Sequence, residues 1–311
     1  MPRRKRRDVI HRYEGNPIIT LEDLPFAAAH IWNAGVARFR DEYLLLITVG
    51  GLEGLFRIYL AASRDGRDFR INPEPFMQAS AQGLFAPYEE FGIRDPRITQ
   101  VDGTFYITYV ADSPHGLRIG LARTDDFQSV EKIGLITEPD NKNGALFPRK
   151  IGGRYAMLER PYAGDSVWIS YSDDLTYWGS STVVMTPRGG FWDPTRIGAA
   201  APPIEIEQGW LLLYYGEKGT SAGPLVRLGA AILDRDDPSQ VIARSNIPIL
   251  SPREDYERIG DVRNVVFSCG ALLEDKQELK LYYGASNSCI CLGTGDLEDV
   301  VAACHESGEE F

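Results

Sequence analysis

The chain has 311 residues, of which 43% are hydrophobic and 25% are charged, as in an ordinary globular protein. Its formal net charge of −11 argues against nucleic acid and anionic membranes as partners. No apolar run approaches the roughly 20 residues of a membrane-spanning helix, and no apolar segment follows the basic start as in a secretory signal. We therefore expect a cytoplasmic protein with one domain over residues 1–311 and a basic tail at about residues 1–9.

A strand pattern recurs along the chain. Aromatic-rich apolar runs predict strands at 43–48, 105–109, 155–158, 210–215 and 279–283. Each is followed by a strand that ends in small residues and an Asp-containing turn, at 59–66, 119–126, 168–174, 227–234 and 289–296. Copies spaced roughly 50 to 70 residues apart predict an all-β fold, a five-bladed β-propeller. A β-sandwich would not repeat with this period, and an α/β fold needs more helices than the short one expected at 297–305.

The residues that most often bind metals form no recognisable pattern. None of the four cysteines, Cys269, Cys289, Cys291 and Cys304, stands in a C-x-x-C spacing, and the four histidines are scattered. We expect buried free thiols, no metal and no cofactor.

A propeller arranges the first strands of its blades around one axis, so the segments just before them should converge at one end of a central funnel. The candidate segments are 33–35, 95–97, 146–149, 196–198 and 263–265. Asp95 is the clearest candidate, because it stands at the mouth of a predicted strand with Arg97 on the same face. The alternative is a structural Asp–Arg pair that closes a turn.

Several motifs occur in a characteristic order. They include Asn16-Pro17-Ile18-Ile19, Asn33-Ala34-Gly35, Asp95-Pro96-Arg97-Ile98-Thr99, the stretch 141–151, Arg196-Ile197-Gly198-Ala199 and Tyr282-Tyr283-Gly284-Ala285. This ordered set resembles glycoside hydrolase family 130, the mannoside phosphorylases and mannosidases, over about residues 10–300. The resemblance implies a five-bladed β-propeller.

The resemblance also implies an inverting enzyme that cleaves β-mannosidic bonds of small manno-oligosaccharides, with Asp95 as the general acid. In the family's phosphorylases the proton passes through a hydroxyl of the bound mannose, and inorganic phosphate is the co-substrate that attacks the opposite face. In a hydrolase a second carboxylate activates water instead. The remaining assignments by motif are substrate-binding residues Asn33, Arg97, Asn143, Tyr215 and Asn287, and phosphate- or anion-binding residues Arg149, Lys150 and Arg196.

The chain departs from the phosphorylase pattern at several of these places. Thr48 stands where phosphorylases commonly carry an arginine, Tyr215 replaces a histidine, and Asn287 replaces a sugar-binding carboxylate. Glu159 and Glu217 are additional carboxylates, and negative charge beside a phosphate dianion is unfavourable. We therefore favour hydrolysis, with Glu159 or Glu217 as the catalytic base, over phosphorolysis to mannose 1-phosphate.

Other interpretations remain open at this stage. Arg94, Arg149 or Arg263 could rebuild the anion site, whereas Glu217 could be a solvated loop residue and Glu159 an ion-pair partner of a nearby arginine. A propeller that binds sugar without catalysis is a further alternative, which an intact Asp95 disfavours. A homo-oligomer is compatible with the sequence.

Overall fold

The computed structural model describes residues 8–306, which are nearly all β-structure. A short strand β1 (His11–Arg12) precedes two antiparallel arrays of four strands each. The first array comprises β2 (His30–Phe39), β3 (Glu42–Gly50), β4 (Phe56–Ser63) and β5 (Arg70–Met77). The second comprises β6 (Gly92–Val101), β7 (Thr104–Asp112), β8 (Arg118–Thr124) and β9 (Glu131–Leu135). A single parallel bridge between Phe56 and Gly92 joins these two arrays.

Three further arrays complete the fold. The third comprises β10 (Asn141–Leu146), β11 (Tyr155–Pro161), β12 (Val167–Ser172) and β13 (Gly179–Met185). The fourth comprises β14 (Arg196–Ala199), β15 (Ile204–Ile206), β16 (Gly209–Thr220), β17 (Gly223–Leu233) and β18 (Val241–Arg244). The fifth comprises β19 (Val266–Glu274), β20 (Glu278–Ala285) and β21 (Cys289–Asp296), with β1 paired to β21. The α-helices are α1 (Asp255–Arg258) and α2 (Leu297–His305), and single 3₁₀ turns lie at Leu21–Asp23, Ala86–Tyr88 and Ala163–Asp165.

The repeat read from the sequence corresponds to the second and third strands of each array, counted in hydrogen-bonding order with β15 left out. The aromatic-rich runs form β3, β7, β11, β16 and β20, and the strands that end in small residues form β4, β8, β12, β17 and β21. The predicted terminal helix is α2. The all-β prediction is confirmed, and the four cysteines are buried free thiols, as expected.

Aspartates terminate the third strands through one shared hydrogen-bond arrangement. Asp65, Asp126, Asp174 and Asp234 each accept, on Oδ1, the backbone N–H groups two and three residues later. A short side chain that bonds its own following backbone is a turn-forming device. In the fifth array Asp296 uses the same chemistry to cap α2 through the N–H of Glu298.

Apolar side chains pack between neighbouring arrays. Separate buried clusters join the first array to the second, the second to the third, the third to the fourth, the fourth to the fifth and the fifth to the first. Alternation along each strand supplies an apolar side chain to each flanking cluster, which explains why these strands are apolar on both faces.

The innermost strands approach one another closely. A Cβ on Gly35 of β2 would stand 2.6 Å from the carbonyl oxygen of Pro96 in β6, and a Cβ on Gly270 of β19 would stand 2.6 Å from the backbone nitrogen of Val36. Glycine is therefore required where β2 meets its two neighbours. These contacts hold the middles of three inner strands beside one another.

The N-terminal boundary differs from the prediction. Residues 1–7 of the expected basic tail lie outside the described residues, but Asp8 accepts hydrogen bonds from Arg12 and Arg253, and Val9 packs on the apolar cluster between the fourth and fifth arrays. Asp8 and Val9 therefore belong to the folded domain. No helix within residues 8–306 is long and apolar enough to cross a membrane.

Candidate active site

The inner strands carry a repeated backbone irregularity near their beginnings. Asn33, Asp95 and Asn143 have positive φ angles of 46°, 56° and 61°, and each lies where the pairing of its strand with the next strand shifts register. Asn264, two residues before β19, has a φ of 58°. Asparagine and aspartate tolerate this conformation better than other side chains. A bulge re-aims a side chain, and here it turns Asn33 and Asp95 into one cavity.

This cavity, which we call the central cavity, has a volume of about 240 Å³. Its apolar walls include Trp32 and Phe267. Polar residues from all five arrays line it, namely Asn33, Arg94, Asp95, Lys142, Arg196, Tyr215, Glu217 and Asn287. The lining includes Asn33, Asp95, Arg196 and Val265, one residue from each of four of the five segments expected to converge, and no residue of the segment 146–149.

Asp95 is almost fully buried, with 4% of its surface exposed. Its backbone N–H donates to Thr48 Oγ1 at 3.0 Å, and its Oδ1 accepts from Asn33 Nδ2 at 2.8 Å. Arg94 Nη1 lies 3.4 Å from the other carboxylate oxygen. Burial alone would raise the pKa of Asp95, but Arg94 and the Asn33 hydrogen bond outweigh it and lower that pKa below its usual value. The carboxyl group is therefore ionised in the free protein.

Three cationic side chains share the cavity with Asp95. Arg94 is held by two hydrogen bonds to Asp112 Oδ2, at 3.1 and 2.9 Å. Arg196 Nε lies 3.6 Å from both Asp165 Oδ1 and Glu217 Oε2, so it bridges two carboxylates at the rim. Lys142 forms no salt bridge among the described residues. Among the residues that line the cavity, three cations therefore stand against two carboxylates, Asp95 and Glu217.

Lys142 is the least compensated of these cations. Burial, and after it the positive charge of Arg160, lowers the pKa of Lys142 to about 8. An ammonium group that is largely withdrawn from water and forms no salt bridge among the described residues is a natural partner for an anionic ligand. No three His, Cys, Asp or Glu side chains within the described range are grouped as metal ligands.

Two of the expected substrate-binding residues lie behind the cavity wall. Arg97 is fully buried and donates to the carbonyl oxygens of Ala200, Ala199 and Asp95, at 2.7, 3.2 and 3.1 Å. Asn143 is also buried and accepts, on Oδ1, weak hydrogen bonds from Tyr215 and Arg160. In this structure both residues support the groups that line the cavity and are not on its surface.

Arg149 and Lys150 lie away from the central cavity. The sequence placed the start of the third inner strand at 146–149, but β10 begins at Asn141, so these residues follow its opposite end. Arg149 is paired on the surface with Glu205, at 2.8 and 3.0 Å. Lys150 rests over the ring of Tyr155. Their expected role as anion ligands of the Asp95 site is therefore not compatible with their positions.

Glu159 also faces elsewhere. Successive residues of a strand point to opposite faces. On β11 Arg160 points towards Asn143, whereas Glu159 points between the second and third arrays and accepts from Asn141 Nδ2 at 2.8 Å. Glu159 lines a separate cavity that does not contain Asp95. Only Glu217 of the two proposed bases lies beside the general-acid candidate.

Arg97 and Arg149 give a matched pair of stability predictions. We expect Arg97→Met to lower the free energy of unfolding by about 3 kcal/mol, because it leaves buried carbonyl oxygens without donors. Arg149→Met removes a surface ion pair and should cost less than about 1 kcal/mol. Urea denaturation of both variants measures the difference. Equal destabilisation would contradict the bracing role of Arg97.

The site selection from sequence omitted two residues of the cavity. Arg94 was considered only as one of three arginines that could rebuild the anion site, and Lys142 only as part of the stretch 141–151. The signal for Lys142 was its position directly before Asn143, within the Asn-Lys-Asn segment that begins β10. Lys142 was overlooked because the segment expected to converge was placed at 146–149, five residues after the actual beginning of β10.

The chain was compared with known proteins. A family model described as beta-1,4-mannooligosaccharide phosphorylase matches residues 3–306. The beta-1,4-mannooligosaccharide phosphorylase of Ruminococcus albus is 34% identical, over 95% of this chain and 90% of its own length. The beta-1,2-mannobiose phosphorylase of Listeria innocua is 33% identical, over 90% of this chain and 94% of its own length.

A solved structure extends the likeness to three dimensions. The beta-1,2-mannobiose phosphorylase from Listeria innocua, in complex with beta-1,2-mannobiose, superposes with a TM-score of 0.87 at 31% identity. The match covers 95% of this chain and 99% of that chain. The family model, the sequence relatives and the solved fold agree over nearly the full length, and the chain therefore belongs to glycoside hydrolase family 130, an enzyme family that acts on β-mannosides.

Proposed function

We propose that the protein is a β-mannoside phosphorylase that transfers a mannosyl group to inorganic phosphate. The observation that carries this proposal is the presence of Arg94, Lys142 and Arg196 in the same cavity as Asp95. Phosphate binding requires cationic donors. Thr48 stands where the family's phosphorylases commonly carry an arginine, and in this proposal Arg94 supplies that positive charge instead. The hydrogen bonds of Arg94 to Asp112 hold it in place.

The relatives favour the same reaction. Those described above carry the names of phosphorylases of mannobiose or manno-oligosaccharides. The sequence-based preference for hydrolysis is therefore not supported. It rested partly on Glu159 as the base, and Glu159 lies outside the central cavity.

In this proposal Asp95 is the general acid. The carboxyl group must be protonated when the leaving oxygen departs, but Arg94 keeps it ionised in the free protein. A phosphate dianion bound by the cations adds negative charge beside Asp95 and offsets the field of Arg94. Like charge raises the pKa of a carboxyl group, so phosphate binding favours uptake of the proton that catalysis needs.

The bond changes then follow from the geometry of an inverting reaction. A phosphate oxygen attacks C1 of the mannosyl unit on the face opposite the glycosidic oxygen, the C1–O bond breaks, and the proton of Asp95 reaches the departing oxygen directly or through a sugar hydroxyl. The products are α-mannose 1-phosphate and a saccharide shortened by one unit. Asn33, Tyr215 and Asn287 are the polar side chains available to orient the sugar.

Hydrolysis is the second candidate, because Glu217 lines the central cavity. With water in place of phosphate, Glu217 would be the base that activates it. Its proximity to Arg196 argues for an alternative role, in which it holds that arginine at the rim.

One assay separates the two reactions. The protein is incubated with β-1,2- and β-1,4-mannobiose, each with and without inorganic phosphate, and mannose and mannose 1-phosphate are quantified. We expect mannose 1-phosphate to form only when phosphate is present. Release of two mannose molecules at the same rate in both buffers would refute phosphorolysis in favour of hydrolysis.

We also propose that the five arrays are the blades of one five-bladed propeller over the whole domain. The cycle of apolar clusters, in which the fifth array packs on the first, supports this arrangement. The pairing of β1 with β21 supports it too, since it ties the beginning of the chain to the last array. The cytoplasmic location stays a prediction.

A further inference from the structure

The cavity that contains Glu159 has no role in the reaction proposed above. It lies between the second and third arrays, and its volume is about 410 Å³. That volume falls within the range of roughly 300–1,000 Å³ typical of small-molecule sites. We call it the inter-array cavity.

Its floor is polar and buried. The Glu159 side chain uses one oxygen to accept from Asn141 Nδ2, and burial raises the pKa of Glu159. Asn141, itself 7% exposed, has no hydrogen-bond partner for its Oδ1 among the described residues. Leaving a buried polar atom unpaired costs about 1–3 kcal/mol, so these groups are suited to a ligand that supplies the missing donor.

Hydrogen-bond donors line the inter-array cavity as well. Arg118 lines the inter-array cavity, and its buried Nε–H finds no acceptor in the part of the chain that the structure describes. Ser170, on the floor, offers a hydroxyl group. Free acceptors and a free donor around one cavity favour a ligand whose groups can both donate and accept, as hydroxyl groups do. A bare cation would satisfy Asn141 and Glu159 but would be repelled by Arg118.

Aromatic side chains stand at the entrance. Tyr177 is 82% exposed, although its backbone N–H is fixed by Asp174 Oδ1 at 3.0 Å. Trp178 is anchored by a hydrogen bond from its Nε1 to the carbonyl of Leu175 at 3.1 Å. The exposed ring of Tyr177 and the anchored ring of Trp178 offer apolar surface for the C–H face of a sugar.

From these contacts we propose that the inter-array cavity is a second, non-catalytic carbohydrate site that binds one neutral hexose unit. The sugar hydroxyls donate to Asn141 and Glu159 and accept from Arg118, while Tyr177 packs on one face of the ring. The inference does not depend on whether the central cavity performs phosphorolysis, because none of these residues lines that cavity.

The test uses methyl β-mannoside as the probe, titrated in phosphate-free buffer into the full chain carrying Asp95→Asn. We expect two binding events, observed by calorimetry or by ligand-detected NMR. Adding Tyr177→Ala should weaken one event about tenfold or more, and Glu159→Ala should abolish the same event. Ile242→Ala, at an exposed apolar position on β18, is the matched surface control and should change neither event.

Tyr177 is exposed, so its substitution tests the site even if Glu159→Ala fails to fold. Binding events that Tyr177→Ala leaves intact, whether one or two are observed, would overturn the inference. So would binding of calcium or sodium ions, measured in parallel, without binding of the sugar. If the wild type forms no mannose 1-phosphate but Tyr177→Ala still weakens one event, the proposed function falls and the second site stands.

Discussion

Replacing Asp95 with asparagine is expected to lower turnover of β-mannosides by roughly 10²–10⁴-fold, the usual contribution of a general acid. The amide cannot deliver a proton to the leaving oxygen. It has nearly the same size, and asparagine tolerates the φ of 56° at this position. Steady-state kinetics with mannobiose and phosphate measures the loss, and thermal unfolding checks that the fold is retained.

Asp102→Asn is the matched control for this experiment. Asp102 has a similar φ of 50° but lies in the exposed turn between β6 and β7, away from the central cavity. Its substitution should leave kcat and KM unchanged. Turnover of the Asp95 variant within tenfold of wild type would rule out Asp95 as the acid.

Lys142→Met is expected to raise the KM for phosphate by about 100-fold. Loss of one partner in a buried charge contact costs roughly 2–5 kcal/mol, and about 2.7 kcal/mol corresponds to 100-fold. The variant should not be less stable than wild type, because Lys142 is a buried charge without a salt bridge among the described residues. A phosphate KM within threefold of wild type would exclude Lys142 as a ligand.

The pH dependence of phosphate use gives an independent readout of the same residue. Because burial lowers the pKa of Lys142 to about 8, its positive charge is present below that pH and is lost above it. For the wild type, kcat/KM for phosphate should therefore fall as the pH rises through about 8. In Lys142→Arg the guanidinium stays charged, so this fall should disappear. An unchanged profile in that variant would assign the titration to another group.

Local patterns predicted much of the fold because they reflect interactions between residues close in sequence. The aromatic runs became the second strands of the arrays, and the Asp-containing turns closed the third strands through hydrogen bonds to backbone only two and three residues away. The short helix predicted at 297–305 is α2, and in the structure Asp296 caps its first turn. Asp95 was identified because it stands at a strand entrance with Arg97 on the same face and because the family motif contains it.

The errors at Glu159 and Arg149 came from register. Neighbouring residues of a strand face opposite sides of the sheet, so a shift of one residue in the register exchanges the two faces. The sequence alone does not reveal whether Glu159 or Arg160 faces the central cavity. Arg149 was misassigned because the third inner strand is short of aromatic residues and begins at Asn141, earlier than predicted. Lys142 was missed for the same reason.

By itself the sequence determined that the chain is built from repeated β-strands, that Asp95 stands at the entrance of one of them, and that the family is glycoside hydrolase family 130. These conclusions depend on short-range periodicity, turn chemistry and ordered motifs. Only the tertiary structure decided which charged side chains lie together in one cavity. Residues as distant in the chain as Asn33, Lys142 and Asn287 share one cavity because packing between arrays brings their strands together. Packing likewise assigned Glu159 to a second cavity.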